Sequence, residues 1–89
     1  MPRTDRPYTT RRSSPLAELR VRAKLTAAAA AERIGIAASS LGNIERGSVP
    51  ASDQVQEKMA EAYGVSMVSL RRAYVASRRE FIVREGPRV

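Results

Sequence analysis

Arginine carries most of the binding chemistry that this sequence offers. The chain has 89 residues, with 16 basic and nine acidic side chains, and contains neither histidine nor cysteine. Thiol or imidazole metal sites, disulfides and the usual nucleophile–base pairs are therefore excluded by residue type. The nine carboxylates are scattered singly, and no glycine-rich phosphate loop follows a strand. We therefore expect that the protein is not an enzyme and binds neither a metal nor a cofactor. Its guanidinium groups are expected to bind anions.

The excess positive charge lies at the two ends of the chain. Residues 1–12 sum to +3 and residues 71–89 to +4, whereas residues 13–70 hold six basic and six acidic side chains and sum to zero. Electrostatic affinity for nucleic acid scales with the number of phosphates neutralised, so this division is typical of a protein that binds phosphates. A role in solubility is the alternative for the terminal charge.

Residues 25–47 predict a helix, a tight turn and a second helix. Thr26 is placed to cap an alanine-rich helix over 27–34, since its hydroxyl accepts a backbone N–H that has no partner in the helix. Gly35 follows the last apolar residue of that helix, where a left-handed C-cap is expected. The chain therefore turns sharply into the next helix.

The second helix of this pair is predicted over 38–46. Its apolar residues Leu41 and Ile44 are three apart, which places both on one side. Gly47 ends it. The other side then faces outward and carries Ala38, Ser39, Gly42 and Asn43.

Signals of the same kind bound the remaining helices. Ser14-Pro15 opens the first helix, Ser52 caps the one that follows the 47–51 loop, and Ser66 caps the last. We expect an all-α, compact five-helix domain without a sheet, with helices near 15–23, 27–34, 38–46, 53–63 and 67–80. The inward stripes of these helices are expected to bury Leu19, Ile34, Leu41, Ile44, Met59 and Leu70.

The C-terminal segment holds more apolar residues than one small domain can easily cover. Residues 81–83 either continue the last helix or form a short strand, and propensity does not decide between the two. An apolar cluster left unburied usually marks a partner surface. We expect a homodimer through this segment, with docking on another protein as the competing account. The candidate dimerisation residues are Tyr74, Val75, Phe81, Ile82 and Val83.

The chain resembles the helix-turn-helix family of the lambdoid phage repressor and Cro type over roughly residues 15–70. Gly-Ile precedes the second motif helix, Ile-Glu-Arg-Gly ends it, LAELRVRAKLT is similar to the family's first helix, and Tyr-Gly-Val-Ser comes one helix later. The resemblance implies that the helix over 38–46 lies in the major groove of double-stranded DNA. A plain helical bundle that uses the same turn chemistry is the alternative fold.

The resemblance maps base contacts onto Ala38, Ser39, Gly42 and Asn43. Asn43 is able to pair with adenine through two hydrogen bonds, Ser39 to donate or accept one, and Ala38 to meet a thymine methyl. Here the sequence departs from the family, in which long amide or basic side chains are usual. Ala27 also replaces a glutamine that contacts phosphate in the family. The residues placed to meet phosphate from helix ends and a loop are Thr26, Arg46 and Ser48.

One further pair of residues is implied by the resemblance. In the family, an arginine at the position of Arg20 pairs with the glutamate near the end of the recognition helix, here Glu45. Such a pair is often partly buried, and removing one partner leaves the other charge buried without a counter-charge. We therefore expect Arg20 and Glu45 to support the structure instead of contacting DNA.

Three segments follow from these patterns. Residues 1–13 hold two prolines and almost no apolar content, so we expect a flexible basic arm whose Arg11 and Arg12 lie on phosphates or in a minor groove. A leader without a role is the alternative for this arm. Residues 14–74 are expected to form the helix-turn-helix domain, and residues 75–89 a basic and apolar extension.

The function expected from the sequence is sequence-specific binding of double-stranded DNA by a transcriptional regulator. Its small outward residues either let the helix sit deep in the groove, with the arms and DNA shape adding affinity, or indicate a helix that docks on protein, as in an antitoxin or anti-repressor. No apolar run is long enough to span a bilayer. We expect a cytoplasmic protein without a membrane partner, in a bacterium or a phage-infected host.

Overall fold

The computed structural model describes residues 14–85, and five α-helices account for most of them. They are α1 (Pro15–Arg22), α2 (Ala27–Ile34), α3 (Ala38–Arg46), α4 (Asp53–Tyr63) and α5 (Met67–Glu85). No strand occurs between residues 14 and 85. The predicted all-α, five-helix architecture is confirmed. The predicted arm over 1–13 and the chain end over 86–89 lie outside the described residues.

Polar caps and glycines set the helix boundaries. The hydroxyls of Ser14, Thr26 and Ser52 each accept a backbone N–H in the first turn of α1, α2 and α4. Glycines in the left-handed region end α2, α3 and α4 at Gly35, Gly47 and Gly64. These caps satisfy backbone groups that have no partner inside the helices, and they fix where each helix starts and stops. The predicted bounds of α2, α3 and α4 are confirmed.

The core consists of side chains that all five helices contribute. Leu16, Leu41, Met59 and Leu70 are fully buried, and Ala30 on α2 is small enough to bring the helices close together. Five of the six predicted core residues are buried, namely Ile34, Leu41, Ile44, Met59 and Leu70.

The predicted burial of Leu19 is wrong, because this residue is only partly buried. Leu16, one turn earlier on α1, takes the central position in the core and is 0% exposed. Leu19 lies instead beside a groove between α1 and α5 that Pro15, Ala73 and Ala76 also line. α1 is also one residue shorter than predicted, since Ala23 is its C-cap.

α5 is longer than the sequence predicted. It continues to Glu85 instead of ending near residue 80, and residues 81–83 are helical. No glycine or proline occurs between residue 67 and Gly86, so the chain holds no local signal that would end the helix earlier. α5 therefore runs without a break across residues 74 and 75, where the sequence predicted the boundary between the domain and the C-terminal extension.

The middle of α5 is held against the ends of two other helices. Ser77 is 0% exposed, and its hydroxyl accepts the backbone N–H of Leu16 at 3.1 Å. Gly47 touches the α5 backbone so closely that an added Cβ would lie 2.3 Å from the carbonyl oxygen of Ser77. The Arg78 guanidinium donates to the carbonyl oxygen of Gly47 at 3.1 Å. These contacts join α5 to the start of α1 and the end of α3.

Candidate nucleic-acid interface

The outward side of α3 begins with an uncapped helix end. Ala37 occupies the N-cap position and makes no side-chain cap, in contrast to Ser14 and Thr26 at α1 and α2. Ala38 and Ser39 follow it and are exposed. The first backbone N–H groups of a helix carry partial positive charge, so an uncapped and exposed first turn favours an anion or a hydrogen-bond acceptor from outside.

The inward side of α3 is fixed by a buried ion pair. Glu45 is 4% exposed, and its two carboxylate oxygens accept from Nε of Arg20 at 3.1 and 3.0 Å. Arg20 also donates through Nη1 to the carbonyl oxygen of Leu25 at 3.0 Å. Arg20 and Glu45 thus connect α1, the α1–α2 connection and the last turn of α3. With Leu41 and Ile44 buried beside Glu45, the rotation of α3 about its axis is determined.

Tyr63 completes this cluster, and its hydrogen bond to Glu45 was not predicted from the sequence. Its hydroxyl donates to Oε2 of Glu45 at 2.6 Å from the last turn of α4. Burial raises the pKa of Tyr63, and the hydrogen bond and charge of Glu45 raise it further, against a smaller opposing effect of Arg20. The hydroxyl therefore stays protonated and remains a donor to the carboxylate.

Gly42 and Asn43 lie further along the outward side of α3, and both are partly exposed. A Cβ added at Gly42 would meet nothing within 4 Å, so no neighbour in the described chain requires glycine there. The carboxamide oxygen of Asn43 accepts from Nη2 of Arg46, one turn later. An adenine contact through both ends of the carboxamide requires Arg46 to release or share this oxygen.

The predicted phosphate contacts occupy different positions. Thr26 is exposed and caps α2, because its hydroxyl accepts the N–H of Ala29 at 3.0 Å. Ser48 is partly buried and donates to the carbonyl oxygen of Asn43 at 3.1 Å, so its hydroxyl proton is already used. Arg46 is exposed on the last turn of α3. Arg11 and Arg12 lie outside the described residues.

A shallow groove joins the recognition-helix candidate to both ends of the described chain. Gly42 and Arg46 of α3 line it together with Ser14, which precedes α1, and with Arg84 and Glu85 at the end of α5. Ser14 and Glu85, the first and last residues that the structure describes, therefore both lie beside the outward side of α3.

The predicted dimerisation residues point in different directions from α5. Tyr74 packs on the core, and its hydroxyl accepts the N–H of Ala51 at 3.1 Å. Phe81 is partly buried. Val75, Ile82 and Val83 are exposed by 50%, 47% and 81%. Three of the five candidates are thus available to a partner.

Side chains able to hold a metal are not grouped in the part of the chain that the structure describes. Among residues 14–85, no three aspartates or glutamates come together at one place. Over the same residues, no helix combines the length and the apolar character needed to cross a bilayer.

A family model described as a helix-turn-helix domain matches residues 15–73. The match runs from the first residue of α1 into α5 and includes both α2 and α3. No curated protein and no solved structure gives a significant match.

Proposed function

The chain belongs to the helix-turn-helix domain family, and from this we propose that it is a sequence-specific, double-stranded DNA-binding regulator of transcription, of the phage repressor and Cro type. The observation that carries the proposal is the contrast between the two sides of α3. Its inward side is locked by the buried Glu45, whereas its first turn is uncapped and exposed. A helix held rigidly with its first turn free is the arrangement that major-groove reading needs.

The small outward residues fit a close approach to DNA. The side chains of Ala38, Ser39 and Gly42 are so small that DNA could approach the backbone of α3 closely. The open space at Gly42 admits a base edge or sugar. Ser39 and Asn43 then supply the polar base contacts. Because α3 has few side chains that could contact bases, contacts to phosphate and the shape of the DNA supply much of the affinity.

Positive charge near α3 supports contact with phosphate. Arg46 and Arg84 line the groove beside Gly42, and so does Ser14, which comes two residues after Arg12 in the sequence. Thr26 is exposed at the start of α2. Ser48, whose hydroxyl proton is engaged, can contribute only an acceptor and is the weakest of the proposed phosphate contacts.

Selection of bound sequences from random double-stranded DNA tests this proposal. We expect an enriched motif for the wild type, and a relaxed motif for Ser39→Ala and Asn43→Ala, since each removes one base contact. Glu57→Ala, an exposed position on α4, is the matched control and should return the wild-type motif. Absence of any enriched motif would contradict the proposal and favour the protein-docking alternative of an antitoxin or anti-repressor type.

The basic arm calls for a separate measurement. Deleting residues 2–12 removes four arginines and one aspartate. If about three phosphate contacts are lost, affinity for all sequences falls, and the slope of log K against log salt decreases by about 3. An unchanged slope would show that the arm does not meet the DNA backbone.

The homodimer expected from the sequence stays a prediction. Two copies of α3 held about 34 Å apart would read half-sites one turn apart on the same face of the duplex, and the selected motif would then have dyad symmetry. Sedimentation of the wild type and of Phe81→Asp checks the same point without DNA. In this proposal the protein acts in the cytoplasm of a bacterium or a phage-infected host.

A further inference from the structure

α5 contains a seven-residue repeat that the helix-turn-helix motif does not use. Residues 68–74 are VSLRRAY, residues 75–81 are VASRREF, and Ile82 starts a third unit. Each full unit has a valine, then two adjacent arginines, then an aromatic residue. Seven residues are nearly two turns of an α-helix, so equivalent positions of the units lie on the same side of α5.

Part of each unit is engaged within the molecule. Tyr74 packs on the core, and its hydroxyl accepts the N–H of Ala51. The first arginine of each unit also has a partner: Arg71 pairs with Asp53 at 3.3 Å, and Arg78 donates to the carbonyl oxygen of Gly47. These positions serve the fold.

The remaining positions form an exposed row along α5, which we name the α5 stripe. It consists of Val68, Arg72, Val75, Arg79 and Ile82. The three aliphatic residues are exposed by 66%, 50% and 47%. Both arginines are exposed, and neither makes an ion pair with any residue between 14 and 85. The stripe contains no carboxylate.

A groove adjoins the stripe. Arg72 also lines the shallow cleft between α1 and α5. Its other lining residues are the apolar Pro15, Leu19, Ala73 and Ala76 and the polar or charged Glu18, Arg22 and Ser69. The incomplete burial of Leu19 therefore leaves apolar surface next to the stripe. Aliphatic residues at helical spacing beside such a groove suit a helix packed lengthwise on α5.

We propose that the α5 stripe binds an acidic amphipathic helix of a partner protein. The apolar side of that helix covers Val68, Val75 and Ile82, and its carboxylates pair with Arg72 and Arg79. Charge complementarity selects this occupant, because it gives the two arginines a partner that they lack in the described chain.

Charge and position argue against two other occupants. A second copy of α5 that packed on the stripe with Val75 against Val75 would bring the arginines of the two copies together, which is repulsive. The predicted homodimer would therefore use apolar residues outside the stripe, such as Val83, which is 81% exposed. DNA is disfavoured by geometry, since the stripe lies across the helix from Ser77, the residue that contacts the end of α3. The aliphatic residues also have no role in contact with phosphate.

Selection from a displayed library of helical peptides tests the proposal. The peptides are three heptads long, with a fixed aliphatic seam and flanking positions that vary among glutamate, lysine, glutamine and serine. We expect peptides selected on the full-length wild-type protein to be rich in glutamate. Their affinity should fall by at least about tenfold for Arg72→Glu/Arg79→Glu, and lysine-rich peptides should bind that variant instead.

The matched control is Arg33→Glu/Lys58→Glu, which changes the net charge equally at exposed positions on α2 and α4. It should retain the affinity of the wild type. Enrichment without glutamate, absence of enrichment, or equal loss in the control would overturn the proposal. So would a wild-type dimer that Val75→Asp dissociates, or a larger loss of DNA affinity in the stripe variant than in the control.

Discussion

The outer sides of α3 and α5 are both open, yet they are built from opposite kinds of residue. α3 presents Ala38, Ser39 and Gly42, which are the smallest side chains available. α5 presents arginines between valines, as at Arg72, Val75 and Arg79. The first surface brings a rigid backbone close to its target, whereas the second extends long charged side chains toward it.

This difference indicates two kinds of target. Small residues suit a partner with its own regular shape and dense charge, since close approach and an uncapped helix end then provide the contact. Arginines between aliphatic residues suit a partner whose side chains complement them one by one. The helix-turn-helix match ends at residue 73, and most of the stripe lies beyond it. The two surfaces can therefore serve separate functions.

The largest expected effect comes from Gly47→Ala, which would damage both surfaces together. Gly47 has φ of 87°, and an added Cβ would lie 2.3 Å from the Ser77 carbonyl oxygen. Left-handed strain and displacement of α5 together should destabilise the fold by about 2–5 kcal/mol, measured by chemical denaturation. Gly64→Ala is the control, because Gly64 has φ of 70° and free space around it. It should cost only about 1–2 kcal/mol.

Glu45→Ala should affect the outer side of α3 and leave the α5 stripe unchanged. It leaves Arg20 without its carboxylate, and because that arginine side chain is still 18% exposed, we expect a loss of about 2–4 kcal/mol in unfolding free energy. The folded fraction should lose DNA affinity and keep binding at the α5 stripe. Glu32→Ala, an exposed glutamate of α2, should change stability by less than about 0.5 kcal/mol. Equal melting temperatures for the wild type and Glu45→Ala would contradict a buried role.

Tyr63→Phe sharpens the same comparison with a smaller change. Losing the hydrogen bond to a charged acceptor should cost about 1.5–3 kcal/mol. Burial and the neighbouring Glu45 raise the pKa of Tyr63 in the fold above its ordinary value of 10.0, so its contribution to stability is fully present below pH 10 and is lost as pH rises above that value. Denaturation between pH 8 and 11 should show a steeper alkaline decline for the wild type than for Tyr63→Phe. Parallel curves would contradict the coupling to Glu45.

Gly42→Ala has the smallest expected effect on stability, and unlike the other substitutions it should stabilise the fold. A glycine inside a helix costs about 1 kcal/mol relative to alanine, and nothing lies within 4 Å of the added Cβ. We therefore expect a more stable fold that binds DNA more weakly, with stripe binding unchanged. Thermal unfolding and DNA titration of the same sample check this. Unchanged DNA affinity would mean that close approach at Gly42 is not used.

The elements that could be predicted from the sequence are those with local end signals. Thr26, Ser52, Gly35 and Gly64 mark boundaries through hydrogen bonds or backbone angles that depend on a few neighbouring residues, and the helices follow them. The end of α5 lacked such a mark, because the next glycine is Gly86. Periodicity alone could not choose between Leu16 and Leu19 for the centre of the core, since they are three residues apart and lie on the same side of α1.

The site shows the same limit. The outward side of α3 followed from the spacing of Leu41 and Ile44, and the Arg20–Glu45 pair followed from a family resemblance. The hydrogen bond from Tyr63 joins residues 18 apart in sequence, and the contact between Gly47 and Ser77 depends on how α3 meets α5. A buried serine has no hydrophobic signal. Such contacts arise from tertiary packing and need the three-dimensional structure.

The hydroxyl of Ser77 has a consequence for how the molecule opens. It accepts the amide proton of Leu16 across 61 residues of chain, so the first turn of α1 and the middle of α5 share one buried hydrogen bond. That proton can exchange with solvent only when α1 and α5 separate. We expect the Leu16 amide to be among the slowest to exchange with deuterium, at a rate near that of global unfolding, although it lies only one residue from the start of α1.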